Sequence, residues 1–85
     1  MQYATQESLI KRYGTDSILS IALTPERTLD SDKIQEALED ASQTIDSYLA
    51  GRYTLPLNQV PAVLERHCCY IARYFLEKNR ATAQA

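Results

Sequence analysis

The chain has 85 residues, with nine basic and eleven acidic side chains and a net charge of −2. A chain of this length forms one small domain with a modest core. No apolar run approaches the roughly 18–20 residues that span a bilayer, and we expect no signal peptide. The adjacent cysteines Cys68 and Cys69 cannot cross-link distant segments, which excludes a disulfide scaffold. The composition therefore predicts a soluble intracellular domain.

Two short helices are predicted in the first third of the chain. The first follows Thr5, whose hydroxyl can cap the next backbone N–H groups, and it ends at Gly14, which tolerates a left-handed helix stop. Its apolar stripe consists of Leu9, Ile10 and Tyr13. The second begins at Asp16 and ends before Thr24 and Pro25, because the residue preceding a proline is pushed out of the helical region. The side chains that we expect it to bury are Ile18, Leu19, Ala22 and Leu23.

A long third helix is predicted from a cap at Asp30 or Ser31 to about Arg52. Its stripe repeats with spacings of 4, 3, 4, 3 and 4 residues, which is a helical period and not that of a strand. The residues of this stripe are Ile34, Leu38, Ala41, Ile45, Tyr48 and Arg52, widened by Ala37 and Leu49.

A fourth helix follows an extended segment, because Pro56 forbids a continued helix and Pro61 suits the first helical position. It is predicted from Ala62 to about Asn79. Its buried side is predicted to hold Leu64, Cys68, Ile71, Ala72, Phe75 and Leu76, flanked by Val63 and Tyr74. Residues 80–85 carry no stop signal, so we expect the chain to end within a helix. Together these elements predict an all-α protein, a small bundle of about four helices, two of them short and two long and antiparallel.

Charge is distributed unevenly along the predicted helices. Residues 29–51 carry a net charge of −5 and residues 52–85 a net charge of +3. One interpretation is that these are the solvated outer faces of two helices that attract each other weakly. The other is that an acidic surface of one subunit meets a basic surface of the next, which would set the register of the contact more than its affinity.

The residues with reactive or metal-binding side chains do not form a catalytic or metal site. His67, Cys68 and Cys69 are consecutive, so on a helix they point about 100° apart and cannot converge on one ion or act as a nucleophile and base pair. Cys68 is expected in the core, with a redox role as the lesser alternative. The carboxylates Glu36 and Asp40 are expected on a wet face. We predict no enzyme activity, no cofactor and no metal.

Nucleic-acid binding is disfavoured by the sequence pI of about 5.2. In a helix-turn-helix interpretation the acidic third helix would read the DNA, and the phosphates would repel it. The six tyrosines suit a protein–protein interface, although in a small helical domain they can also rim the core.

Three blocks of the sequence follow distinctive motifs. Tyr3–Gly14 follows Y-A-(T/S)-x-x-D-L-x-x-R-(F/Y)-G, and Ala37–Leu57 follows A-L-x-D-A-S-x-x-I-D-x-Y-L-x-x-R-Y-x-L-P-L. The third block consists of Val60–Leu64 and Cys69–Tyr74, which follow V-P-x-x-L and C-x-I-A-R-Y. Together these blocks resemble a family of small virion proteins from Mu-like phages and prophages, and the resemblance covers nearly the whole chain. Its one departure within the opening is Ser8, which stands where the family usually has an acid.

The resemblance implies an all-α head-to-tail connector, or head completion adaptor, that forms a ring beneath the portal of a tailed phage. The implied partners are proteins, namely the portal and tail-side phage proteins and further copies of the chain, with a monomer expected in isolation. No membrane or sequence-specific nucleic acid is implied. The implied location is the virion, reached from the host cytoplasm during assembly. Family members continue with another helix and a tail, so residues 1–85 would be their N-terminal part, a single truncated connector-like domain.

The candidate subunit interface follows from this expected role. Its residues are Tyr53, Leu55, Pro56, Leu57, Arg52 and Asp46. The segment from Tyr53 to Val60 is either a packed return loop or an interface arm, and Arg52 and Asp46 pair either within the helix region or across subunits. The alternative function is a non-enzymatic adaptor or regulatory protein that binds a host or phage protein without forming a ring.

Overall fold

The computed structural model describes residues 2–53 and 57–84, with side chains as far as Lys78. Four helices make up the fold, and in the described ranges the backbone forms no strand beyond one isolated bridge between Leu23 and Leu29. The helices are α1 (Gln6–Tyr13), α2 (Thr15–Leu19), α3 (Ser31–Leu49) and α4 (Ala62–Gln84). The predicted small all-α bundle, with two short and two long antiparallel helices, is confirmed.

The antiparallel pair α3 and α4 builds the core. The side chains of Ile34 and Leu38 on α3, and of Cys68 and Ala72 on α4, are completely buried. The Ser42 hydroxyl lies 3.5 Å from the Cys68 sulfur and fixes the register. Seven residues of α3 follow Ser42 and six of α4 precede Cys68, so the connected ends of the helices are level. At the other end α4 continues about five residues, or roughly 8 Å, past the start of α3.

The N-terminal segment that precedes α1 lies in the core beside both long helices. Tyr3 is 2% exposed and Ala4 4%. The Tyr3 N–H donates to the Ser42 hydroxyl oxygen at 3.1 Å, and that same hydroxyl contacts Cys68. Because a buried N–H group needs a partner, the serine in the middle of α3 holds the segment in place. The sequence left Tyr3 among the tyrosines that could rim the core or lie at an interface, and the structure places it inside.

A second hydrogen bond links the same segment to α3. The Tyr3 hydroxyl donates to the Asp46 carboxylate at 2.5 Å. Burial, followed by the hydrogen bond and the negative charge of Asp46, raises the pKa of Tyr3 to about 12. Burial by itself would raise the pKa of Asp46. Interactions that favour the charged carboxylate outweigh burial, and the hydrogen bond from the Tyr3 hydroxyl is the largest of them. The pKa of Asp46 is therefore lowered.

The start of α1 is closed by a reciprocal capping arrangement. The Thr5 hydroxyl accepts from the Ser8 N–H at 3.1 Å, and the Ser8 hydroxyl accepts from the Thr5 N–H at 3.4 Å. The hydroxyl of Ser8 thus does what a longer acid or amide does in the usual capping box. The stop at Gly14 is also confirmed, since its φ of +88° lies in the left-handed region.

The second helix is shorter than predicted. It ends at Leu19, and the chain then turns so that Ile21 and Ala22 are buried while Leu23 is 46% exposed. The predicted inward position of Leu23 is wrong, because Leu23 leaves the helix and pairs with Leu29 at the base of a tight turn. In this turn Arg27 adopts a φ of +67°.

The long helices differ from prediction mainly at their ends. Helix α3 begins with the predicted cap, since the Asp30 carboxylate accepts from the Lys33 N–H at 3.1 Å, but it ends at Leu49 instead of Arg52. Tyr48 is 78% exposed and Arg52 is exposed, so these last two positions of the predicted stripe are not in the core.

Helix α4 extends to Gln84, beyond the predicted end near Asn79. Its buried side also includes Cys69, which is completely inaccessible and which the sequence analysis had not placed in the core. Cysteine is a small and rather apolar side chain, so two adjacent cysteines can pack on neighbouring parts of one broad buried face. The other predicted buried positions of α4 are buried or half-buried.

Replacing the buried serine tests how the N-terminal segment is held. We expect Ser42→Ala to lower the free energy of unfolding by about 1–3 kcal/mol, because the Tyr3 N–H loses its partner while remaining buried. Ser47→Ala is the matched control on the exposed side of α3, with an expected change within about 0.5 kcal/mol. Urea unfolding followed by circular dichroism measures both. Equal losses in the two variants would contradict the assigned role of Ser42.

Alkaline pH tests the buried tyrosine. The folded-state pKa of Tyr3 lies above its unfolded value of 10.0, so its contribution to stability is complete below pH 10 and is lost as the pH rises toward about 12. We expect the advantage of wild type over Tyr3→Phe, measured by urea unfolding, to shrink across that window. The buried thiols titrate in both proteins and cancel in the comparison. Tyr70→Phe, at a residue that is 68% exposed, should follow wild type at every pH.

Candidate interaction surface

The structure separates the residues of the predicted subunit interface into different environments. Arg52 and Tyr53 are exposed, Tyr53 to 58%, whereas Leu57 is half-buried and packs against the core. Leu55 and Pro56 lie outside the described residues. Asp46 is half-buried and accepts a hydrogen bond from the Tyr3 hydroxyl. Of the four described members, Arg52 and Tyr53 are the ones that face solvent.

A more extensive apolar surface runs along the outside of α4. Val63, Tyr70 and Tyr74 are 45%, 68% and 56% exposed. Since Tyr70 and Tyr74 follow Val63 by seven and eleven residues, all three lie within about 20° of one line along the helix. The buried Ala72 is two residues from each tyrosine, and so about 200° around the helix from both. We call this surface the tyrosine face; it comprises Val63, Arg66, His67, Tyr70 and Tyr74, all of them exposed.

This face was not predicted from the sequence. Val63 and Tyr74 were expected to flank the buried side of the fourth helix, and the structure corrects this by placing them opposite it. Tyr70 had been assigned to no face. The spacing of Val63, Tyr70 and Tyr74 is itself a helical period, in antiphase to Cys68 and Ala72. That period could have been found, but an apolar stripe does not by itself reveal whether it is covered.

The outside of α3 has the opposite character. Its exposed carboxylates are Asp32, Glu36, Glu39 and Asp40, which we call the acidic face. Glu36 is two residues from both Ile34 and Leu38, and so points away from the core. No lysine or arginine occurs between residues 34 and 51. The expectation that Glu36 and Asp40 lie on a wet face is confirmed by their exposure.

One arginine of α4 is engaged within the chain. The Arg73 guanidinium carbon lies 4.8 Å from the centre of the Tyr13 ring, and one of its nitrogens lies 3.5 Å from Glu77. The contact with Tyr13 ties α1 to α4, whereas the contact with Glu77 lies within α4. From Arg52 to Tyr74, the exposed charged side chains in the described part of the chain are Arg52 and Arg66, both positive, while Glu65 and Arg73 are half-buried.

The thiols are enclosed and do not resemble a reactive centre. Burial, as the largest cause, raises the pKa of Cys68 and of Cys69. A raised pKa disfavours the thiolate, which is the reactive form. His67 is exposed on the tyrosine face and so points away from both. Within the described residues no three side chains of the metal-binding types are grouped to hold an ion, and no helix is long and apolar enough to cross a membrane.

Thiol labelling tests the enclosure of the cysteines. We expect a thiol reagent to modify Cys68 and Cys69 only as fast as the protein unfolds, because both are completely buried and their pKa values are raised. The control Ser47→Cys adds an exposed thiol on α3, which should react at once. Mass spectrometry counts the labelled sites over time. Rapid modification of the native cysteines in the folded protein would contradict their enclosure and favour a redox role.

These features define a small all-α protein with two outward helix faces of different chemistry. The model of the family described as Bacteriophage Mu, Gp36 matches residues 3–85. The chain belongs to this family, which agrees with the resemblance to small proteins of Mu-like phages and prophages.

Two relatives are similar along nearly the whole chain. The Mu-like prophage FluMu protein gp36 of Haemophilus influenzae is 74% identical over 84 residues, covering 98% of this chain and 60% of the relative. Gene product J of Escherichia phage Mu is 41% identical over 86 residues, covering 99% of this chain and 61% of the relative. The chain thus spans about three fifths of the length of these relatives.

Proposed function

We propose that the protein is a non-enzymatic structural component of a Mu-like phage or prophage virion, a head-to-tail connector that forms a ring beneath the portal. Its partners in this role are the portal, tail-side phage proteins and further copies of the chain. It would act in the virion, after assembly in the host cytoplasm.

The tyrosine face is the observation that carries this proposal. Monomeric proteins seldom leave a row of large apolar side chains uncovered along a helix, and such surfaces mark interaction sites. Tyrosine and arginine are both enriched at protein–protein interfaces. Tyr70 and Tyr74 are more than half exposed, with Arg66 on the same face. A protein of a phage family with this surface is suited to assembly with other proteins.

Binding to the portal tests the proposed function. We expect the full-length protein to be retained by the portal ring of its phage in a pull-down, and to add density to the tail-facing end of the ring in negative-stain images. An unrelated helical protein of similar size and charge is the control for adhesion. A circular dichroism spectrum and melt on the same sample show that the protein is folded.

Failure of a folded, full-length protein to bind the portal would overturn the connector role. The remaining function would then be that of an adaptor or regulatory protein that binds another host or phage protein. A salt-dependent shift of duplex DNA would instead indicate a nucleic-acid partner, against the acidic composition.

A further inference from the structure

We infer that the tyrosine face of one subunit packs against the acidic face of a second copy, so that the partner of this surface is the chain itself. This inference rests on the proposed function, and it names which surfaces meet within the ring.

The two faces cannot meet within one chain. Helices α3 and α4 pack through their buried stripes, with Ser42 and Cys68 in contact at the seam. The tyrosine face lies opposite the buried stripe of α4, and the acidic face lies opposite that of α3. Each subunit thus carries two complementary surfaces that point away from each other. Such an arrangement suits a heterologous contact, in which successive copies join head to tail and close into a ring.

The chemistry of the two faces is complementary. The tyrosine face offers the hydroxyl donors of Tyr70 and Tyr74 and the guanidinium of Arg66, while Glu65, the acid that the sequence places between Arg52 and Tyr74, is half-buried. The acidic face offers four carboxylate acceptors, with Lys33 as a base beside Asp32 and no lysine or arginine from residue 34 to residue 51. Hydrogen bonds with a charged partner are among the stronger ones, and opposite charges across an interface favour correct partners.

A contact of this kind already exists inside the chain. The Tyr3 hydroxyl donates to the carboxylate of Asp46 on α3 at 2.5 Å, while the Tyr3 ring packs in the core. Tyr70 or Tyr74 of a second copy would make the same pairing with Glu36 or Asp40, on the outside of that helix.

The two faces also match in length. From Val63 to Tyr74 the tyrosine face spans about 16 Å of helix, and from Asp32 to Asp40 the acidic face spans about 12 Å. Two helices crossing at a shallow angle bring surfaces of this length together along most of their extent.

Site-specific photo-crosslinking tests which surfaces meet. A benzophenone amino acid replaces Tyr70, and this protein is mixed with isotope-labelled wild type and assembled on the portal ring. We expect crosslinks from position 70 to residues 32–43 of another copy, identified by mass spectrometry of mixed-label peptides. If the wild-type protein does not decorate the portal, the proposed function fails and this inference with it. If it decorates the portal and position 70 crosslinks to the portal, to α4 of another copy, or to nothing, only this inference is overturned.

Charge reversal tests the same contact without a probe. Variant A carries Arg66→Glu and Tyr70→Glu, and variant B carries Glu36→Lys and Asp40→Lys. Each alone should weaken subunit association on the portal by at least about tenfold, because like charges then face each other. The control Glu7→Lys with Asp16→Lys makes the same charge change as variant B at exposed positions on α1 and α2.

Mixing the two variants shows whether the contact is heterologous. At one kind of junction the unchanged acidic face of variant A meets the unchanged tyrosine face of variant B, so the native contact is kept. At the other kind, the introduced acids of variant A face the introduced lysines of variant B, so opposite charges meet again. We expect the mixture to recover the subunit association on the portal that each variant alone has lost. Full rings formed by variant A alone or by variant B alone would overturn the inference, as would a mixture that associates no better than either variant alone, or a loss in the control equal to that in variant B.

Discussion

The fold depends on how the N-terminal segment is held between the two long helices. Two antiparallel helices alone leave part of their buried stripes open, and Tyr3 and Ala4 help to cover it together with buried residues of α1 and α2. The segment has no helical hydrogen bonds of its own, so its buried Tyr3 N–H must find a partner elsewhere, and Ser42 supplies it. The same hydroxyl contacts Cys68, so one serine joins three parts of the chain.

This arrangement gives physical meaning to the blocks that carry the family resemblance. The opening block supplies the buried Tyr3 and the cap at Thr5, and the second block supplies Ser42 and Asp46, which accept the two hydrogen bonds from Tyr3. Residues some forty positions apart in sequence therefore form one unit. The unit is structural, which leaves the outer faces of α3 and α4 free to serve association.

Association through these faces would give each long helix two roles, one in the core and one in an interface. Helix α3 has one stripe for the core and carboxylates on its other side, and α4 has a stripe for the core and tyrosines on its other side. A domain that associates through such faces needs no binding cavity. The positions of its charged and aromatic surface side chains would then determine which partner it binds. Burying Val63, Tyr70 and Tyr74 against another copy would add apolar area that the monomer leaves in water.

The sequence by itself determined the four helices, the cap at Thr5, the stop at Gly14 and most of the core. Helical periodicity and local hydrogen bonding depend only on residues that are close together in the sequence. It also located the wet acidic side of α3. Only the tertiary structure decided that Tyr3 is buried, that Leu23 and Tyr48 are exposed, and that the tyrosines of α4 form an uncovered face. An apolar residue is buried only where another part of the chain covers it, and that depends on packing between segments distant in sequence.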